Sequence, residues 1–169
     1  VTPYPVLTVA SDATDICSGT PAGISASGAT DYTWIPGNLS GPAITVSPAT
    51  TTTYTITGSA GANCTSSATI TIHVTHIDIS ASSTAESCGK ADGTATVNVS
   101  GNCGDNYSYV WNTIPVENTP AIAGLVAGDY TVTVSCGGCS NTATVTIPHY
   151  AGPEASFTAN PPEVSLANS

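Results

Sequence analysis

Most of the chemistry open to this 169-residue chain rests on six cysteines: Cys17, Cys64, Cys88, Cys103, Cys136 and Cys139. Two chemistries compete for them. Cys136-x-x-Cys139 has the spacing of tetrahedral zinc ligands, with Cys88 and Cys103 as the other two. An even count in a chain with other marks of export suits disulfides, and that is the reading adopted for all six. The histidines do not make a joint site. His73 and His76 are three apart, so along a strand they face opposite sides; with His149 they read as exposed residues near domain ends. Asp12, Asp15, Asp92, Asp105 and Asp129 fall in turns and loops. Calcium needs several oxygens converging, and no dense Asp-x-Asp-x-Asp loop is present, so these read as turn caps. No cofactor is expected, calcium being the single candidate. No Ser-His-Asp set sits on a nucleophile elbow, and no carboxylate pair marks a glycosidase cleft, so the chain is not read as an enzyme. Tyr107, alternating with Tyr109 beside the loop Gly101–Asn106, is the candidate sugar platform, set against a packing role. Asn-x-Ser/Thr triplets begin at Asn38, Asn63, Asn98 and Asn106.

Charge narrows the partners. One cation, Lys90, stands against eleven carboxylates, a formal net charge of −10. Nucleic acid recognition needs clustered Lys and Arg to displace counterions, which excludes it, and an anionic membrane surface is disfavoured on the same ground. Nothing is long and apolar enough to insert in a membrane. No methionine is present, so the chain is expected to be a processed or excised piece of something longer.

The elements that must position these residues read as strands. In Leu125-Val-Ala-Gly-Asp-Tyr-Thr-Val-Thr-Val134 a turn opens into an alternating run, with Tyr130, Val132 and Val134 on one face and Thr131 and Thr133 on the other. A period of two is a strand with one buried face. A tyrosine just after a turn at the start of a late strand suits a tyrosine corner. Low charge with abundant Thr and Ser is not disorder here, because the threonines alternate with Val and Ile; the solvent faces use hydroxyls instead of charges.

The same set occurs twice. Tyr32-Thr-Trp34 matches Tyr109-Val-Trp111, Thr53-Tyr-Thr-Ile-Thr57 matches Asp129-Tyr-Thr-Val-Thr133, and Ala68-Thr-Ile-Thr-Ile72 matches Ala143-Thr-Val-Thr-Ile147. Trp34 to Trp111, Tyr54 to Tyr130 and Cys64 to Cys139 share nearly one spacing, which marks two tandem domains of about 75 residues. Domains that small often need staples. Expected strands include Tyr4–Ala10, as a proline-edged strand, Ala22–Ser27, and a last strand running to Val74. Val74-Thr-His-Ile-Asp-Ile79 contains no Gly or Pro, so one domain is expected to run into the next through a stiff joint. The repeat alone sets the pairing. Cys17 and Cys64 share a domain, where a bridge would stabilise by ~3–4 kcal/mol. Cys88 and Cys139 hold the matching positions, leaving Cys103 with Cys136.

These motifs resemble cell-surface repeat proteins of gliding and biofilm-forming Bacteroidetes. Cys17, Ala26-Ser-Gly-Ala29, Tyr32-Thr-Trp34, Pro36, Thr51-Thr-Thr-Tyr-Thr-Ile56 and Cys64 resemble an immunoglobulin-like module. Cys88-Gly, Asp92-Gly, the strand to Trp111, Leu125-Val-Ala-Gly-Asp-Tyr-Thr-Val and Cys139 resemble the repeat of SprB-type gliding adhesins, of which Cys103 and Cys136 are not a usual part. Ala155-Ser-Phe-Thr-Ala-Asn-Pro resembles the first strand of a polycystic-kidney-disease-type (PKD-like) domain. The resemblance implies export to the cell surface.

The expected fold is therefore all-β: tandem immunoglobulin-like β-sandwich domains over residues 1–75 and 76–149, with a C-terminal strand segment over 150–169. The leading function is a structural repeat module of an extracellular filament, fibre or adhesin stalk, whose partners are copies of itself or neighbouring repeats, head-to-tail. The alternative is an adhesin module for glycans or another surface ligand. The tail is expected to add as a strand to the next subunit or repeat, burying Phe157, Val164 and Leu166.

Overall fold

The computed structural model of the chain describes residues 4–61, 64–104, 106–150 and 152, and every helix-or-strand element among them is a strand. The strands build two sandwiches in tandem. In the first, β1 (Thr8–Ser11), β3 (Ala22–Ser27) and β6 (Ala43–Val46) form one sheet in that order. The other holds β2 (Asp15–Cys17), β8 (Thr65–Thr75), β7 (Thr52–Ser59), β4 (Asp31–Ile35) and β5 (Leu39–Ser40), again in that order. In the second sandwich β13 (Ala121–Leu125), β11 (Gly93–Gly101) and β9 (Ile77–Thr84) face β12 (Ser108–Trp111), β14 (Gly128–Cys136) and β15 (Cys139–Ile147). A short pair, β10 (Glu86–Ser87) with β16 (His149–Tyr150), runs parallel at its far end.

Alternation supplies each core. Along β7, Tyr54 and Ile56 point in while Thr53 and Thr57 point out; along β14, Val132 and Val134 are fully buried. The outward threonines meet across strands: Thr53 and Thr71 hydroxyls lie 2.8 Å apart, and Thr131 and Thr144 hydroxyls 3.2 Å apart. Cross-strand hydroxyl pairs of this kind stabilise a sheet modestly without charge. At the centre of each sandwich lies one tryptophan, Trp34 or Trp111, both buried. Each indole N–H donates to a carbonyl, Gly41 at 3.0 Å and Thr119 at 2.9 Å, as a buried indole must. Two separate buried clusters result, one around Trp34, Ile56 and Ile72, the other around Trp111, Val132 and Ile147. The Tyr130 hydroxyl donates to Val126 O at 3.1 Å, four residues upstream, which ties the turn to the strand in the manner of a tyrosine corner.

Some elements differ from expectation. The first strand begins at Thr8 rather than Tyr4, and Tyr4 and Val6 are exposed; prolines at 3 and 5 offer no N–H to a ladder. The Pro-containing connection after Trp111 ends in a further strand, β13, whose Ala-Ile-Ala-Gly-Leu sequence alternates too weakly to announce itself. The tail residues Phe157, Val164 and Leu166 lie outside the described residues.

Candidate functional site

The joint between the sandwiches is the most heavily constructed place in the molecule. β8 ends at Thr75 and β9 begins at Ile77, so His76 alone separates the last strand of one sandwich from the first of the next. Around this residue the second sandwich reaches back. Asn102, in the loop after β11, accepts from His76 N at 2.9 Å and donates to Val74 O at 2.5 Å. Asn141, on β15, donates to Ile77 O at 2.8 Å. Gly101 brings the backbone so close that a Cβ there would sit 2.2 Å from His76 O, so only glycine fits. A cleft of about 320 Å³ remains beside the joint, bordered by Ser18, Asp78 and Ser140. The His76 Nε2 lies 3.8 Å from Asp78 Oδ2.

A disulfide closes this joint. Cys17 bonds Cys139, with Cα atoms 5.6 Å apart and a sequence separation of 122. Cys17 belongs to the first sandwich, at the end of β2, yet it packs against the core of the second. This overturns the expected bridges Cys17–Cys64 and Cys88–Cys139. The reason lies in strand direction. Cys17 is in register with Thr75, at the joint end of β8, whereas Cys64 precedes Thr65 at the other end of that eleven-residue strand. At about 3.3 Å per residue those two ends are roughly 30 Å apart, far beyond what a disulfide spans. The same geometry parts Cys88 from Cys139: Cys88 lies by Tyr150, past the far end of β15, which Cys139 begins. Cys103 joins Cys136, with Cα atoms 6.3 Å apart, and fixes the Asn102 loop to the β14–β15 hairpin. Cys136 and Cys139 thus go to two different bridges and do not gather with Cys88 and Cys103 as a zinc set would require.

The other sequence candidates stay apart. Asp12 Oδ1 accepts from Gly23 N at 2.8 Å, Asp92 Oδ1 from Ser87 N at 2.7 Å, and Asp129 Oδ1 from the Thr146 hydroxyl at 2.6 Å. Asp15 accepts from the neighbouring Thr14 hydroxyl, at 3.0 Å, and Asp105 lies outside the described residues. Each carboxylate serves its own turn. The Ser87 N–H holds the Asp92 carboxyl below its ordinary range. His73 is exposed. Tyr107 is half-buried and packs against the second core, so it does not present an open platform.

One buried charged residue had no signal in the sequence. Glu86 is the single buried charged side chain among the described residues, 4% exposed. Its carboxylate lies 3.3 Å from His149 Nδ1 and accepts from Ala127 N at 3.3 Å and Ala91 N at 3.4 Å. The His149 hydrogen bond, helped by the two amides and opposed by burial, holds its carboxyl below the usual range. Glu86 thereby ties three segments together at the far end of the second sandwich: β16, the turn before β14, and the loop after β10. The register that creates this contact, Glu86 beside His149, has a counterpart in Asp15 beside His73, where both side chains are exposed.

The fold has relatives of known structure. The insect immune protein hemolin, whose domain arrangement bears on homophilic adhesion, matches with a TM-score of 0.51 at 13% identity, over 89% of this chain and 48% of that one. The fold is the immunoglobulin-like β-sandwich, in tandem. Extracellular domains 3–5 of Drosophila OTK match at 10% identity with a TM-score of 0.43, over 86% of this chain and 62% of that one. Murine CEACAM1b matches at 12% identity with a TM-score of 0.39, over 86% of this chain and 100% of that one. The chain spans about half the length of the hemolin chain. No family model and no curated protein matches the sequence. No helix among the described residues is long and apolar enough to cross a membrane.

Proposed function

We propose that this immunoglobulin-like tandem is a structural repeat module of an extracellular filament, fibre or adhesin stalk, of the kind found in SprB-type surface proteins of Bacteroidetes. The observation that carries this reading is the joint. A one-residue connection, two asparagine side chains and a disulfide fix one sandwich on the next. A spacer must hold its length, and this arrangement removes the hinge that a flexible linker would provide. The two disulfides fit an oxidising environment, which supports a surface location. Contact between copies runs head-to-tail, and the segment 154–169 supplies a strand to the next subunit or repeat. Head-to-tail contact does not close on itself and so extends into a fibre. Electron microscopy of the native material tests the reading. Filaments or rods with a regular two-domain repeat are expected, and removal of residues 154–169 should abolish end-to-end association. Monomers that bind a glycan saturably, with no end-to-end association, would instead establish an adhesin module.

A further inference from the structure

Both disulfides meet in one hairpin at the joint. Cys136 closes β14 and Cys139 opens β15, with Gly137 and Gly138 as the turn between them, at φ of 57° and 81°. The two cysteines are register partners across that hairpin, and both are buried on its core face, 7% exposed each. Residues directly opposite in an antiparallel pair have Cα atoms about 4.5–5.5 Å apart and side chains on one face. That separation is within the span of a disulfide. Yet each is bonded elsewhere, Cys136 to Cys103 and Cys139 to Cys17. Cys103 also stays beside the turn: a Cβ on Gly137 would meet its Sγ at 3.4 Å.

The Cys17–Cys139 bond is open to small molecules. Clefts of about 320 Å³ and about 180 Å³ are both lined by Cys17 and Cys139, the first bordered by Ser18 and Ser140, the second by Asp15, Gly137 and Gly138. Cys17 is the more exposed residue of the pair, half-buried where Cys139 is buried. A small thiolate entering from either cleft therefore meets Cys17 first, and Cys139 is the leaving group.

We propose that the hairpin is a disulfide-exchange switch: thiol attack at Cys17 moves the bridge onto a Cys136–Cys139 bond across the turn and releases Cys103. The attacking thiolate bonds to Cys17 Sγ, the Cys17–Cys139 bond breaks, and its electron pair stays on Cys139 Sγ. The Cys139 thiolate attacks Cys136 Sγ. The Cys136–Cys139 bond forms, the Cys103–Cys136 bond breaks, and Cys103 leaves as a thiolate that takes up the proton lost by the small thiol. Two disulfides enter and two leave, one of them mixed, so the exchange needs no oxidant and no net reduction. The second step is intramolecular between groups already opposite one another, which favours it over attack by a second molecule of thiol.

One attack frees two constraints. The joint loses its bond through Cys17, and the loop Gly101–Asn106 loses its tie through Cys103. That loop carries Asn102, which bonds His76 N and Val74 O. Simple reduction of the Cys17–Cys139 bond would leave the loop fixed. The switch belongs to a single chain and works whether or not copies assemble.

The test uses the intact chain and reduced glutathione, with acid quenching, alkylation and disulfide mapping by mass spectrometry. For each Cys17 that carries glutathione, one alkylated Cys103 and one Cys136–Cys139 bond within a single peptide are expected. Alkylated Cys139 with the Cys103–Cys136 bond intact overturns the proposal, as does a Cys17–Cys139 bond that resists glutathione until the protein is unfolded. Two variants repeat the test without added thiol. In Cys103→Ser the Cys136 thiol itself faces the bridge, so a fraction of Cys17 should become alkylatable with Cys136 joined to Cys139. In Cys103→Ser/Cys136→Ser that fraction should vanish. Equal Cys17 labelling in the two variants overturns the exchange. Where a variant fails to fold, the wild-type map decides alone.

Discussion

The two sandwiches share a core and differ at their edges. Each buries a tryptophan under a Thr-rich sheet, with its indole bonded to a carbonyl of the following connection. Among the described residues, only the first sandwich covers its tryptophan strand with an extra one, β5 beside β4. Only the second carries a cystine-held loop, Gly101–Asn106, and that loop grips its neighbour through Asn102. The short parallel pair is open in the first sandwich and sealed by a buried Glu86 in the second. Two sandwiches in tandem can thus hold one fold through alternation and one aromatic anchor, while loops and cysteine placement decide how they meet.

That comparison can be broken most forcefully at the clasp. Cys17→Ser removes a bridge closing more than a hundred residues, which the chain-entropy account values at about 4–5 kcal/mol. Denaturant unfolding followed by tryptophan fluorescence should show a large loss and a separation into two transitions. Small-angle scattering should show a broader distribution of end-to-end distances. An unchanged scattering profile would mean that the asparagine contacts hold the joint unaided.

Next come the anchors. Trp34→Ala and Trp111→Ala should each cost about 3–5 kcal/mol, and each loss should fall on its own sandwich when hydrogen exchange is read strand by strand. Equal loss of protection in both sandwiches from either change would contradict two independent cores. A smaller effect is expected at the grip. Asn102→Ala strips the partners from His76 N–H and Val74 O, about 1 kcal/mol by ordinary hydrogen-bond values. In the Cys17→Ser background the same change should loosen the joint further, as scattering would show.

The smallest effect at neutral pH is expected at Glu86, and it is best seen as a slope. Its folded carboxyl is held low, chiefly by His149. Its contribution is present above the ordinary carboxylate value of about 4.3 and is lost as pH falls through the lower, folded value. The melting midpoint of the wild type should therefore decline through this acidic range, and Glu86→Gln should decline less. Parallel curves would remove Glu86 from the acid sensitivity of the second sandwich.

Strand type and core were legible in the sequence because a period of two and a repeated tryptophan are local signals. Val132, Val134, Trp34 and Trp111 stand where the alternation placed them. The cysteine partners were not legible from the repeat, since equivalence between modules does not say at which end of a strand a residue falls. Counting the eleven residues of β8 would have separated Cys17 from Cys64. The short strands β2, β5 and β10 have two or three residues each, too few to show any period. Glu86 was hidden for a different reason: a buried carboxylate is defined by three segments far apart in sequence, and nothing beside it in the chain announces them.

The clasp also has a mechanical meaning. A pull applied at the two ends of the described chain enters through β2 and leaves through β15, and between them it can cross the Cys17–Cys139 bond. The 122 residue steps inside that bridge, worth roughly 400 Å of extended chain, are then shielded from the load. Only the short segments outside it can pay out. A tether built from such units would stretch little before its covalent bonds carried the tension, and a reducing agent would act on it as a release catch.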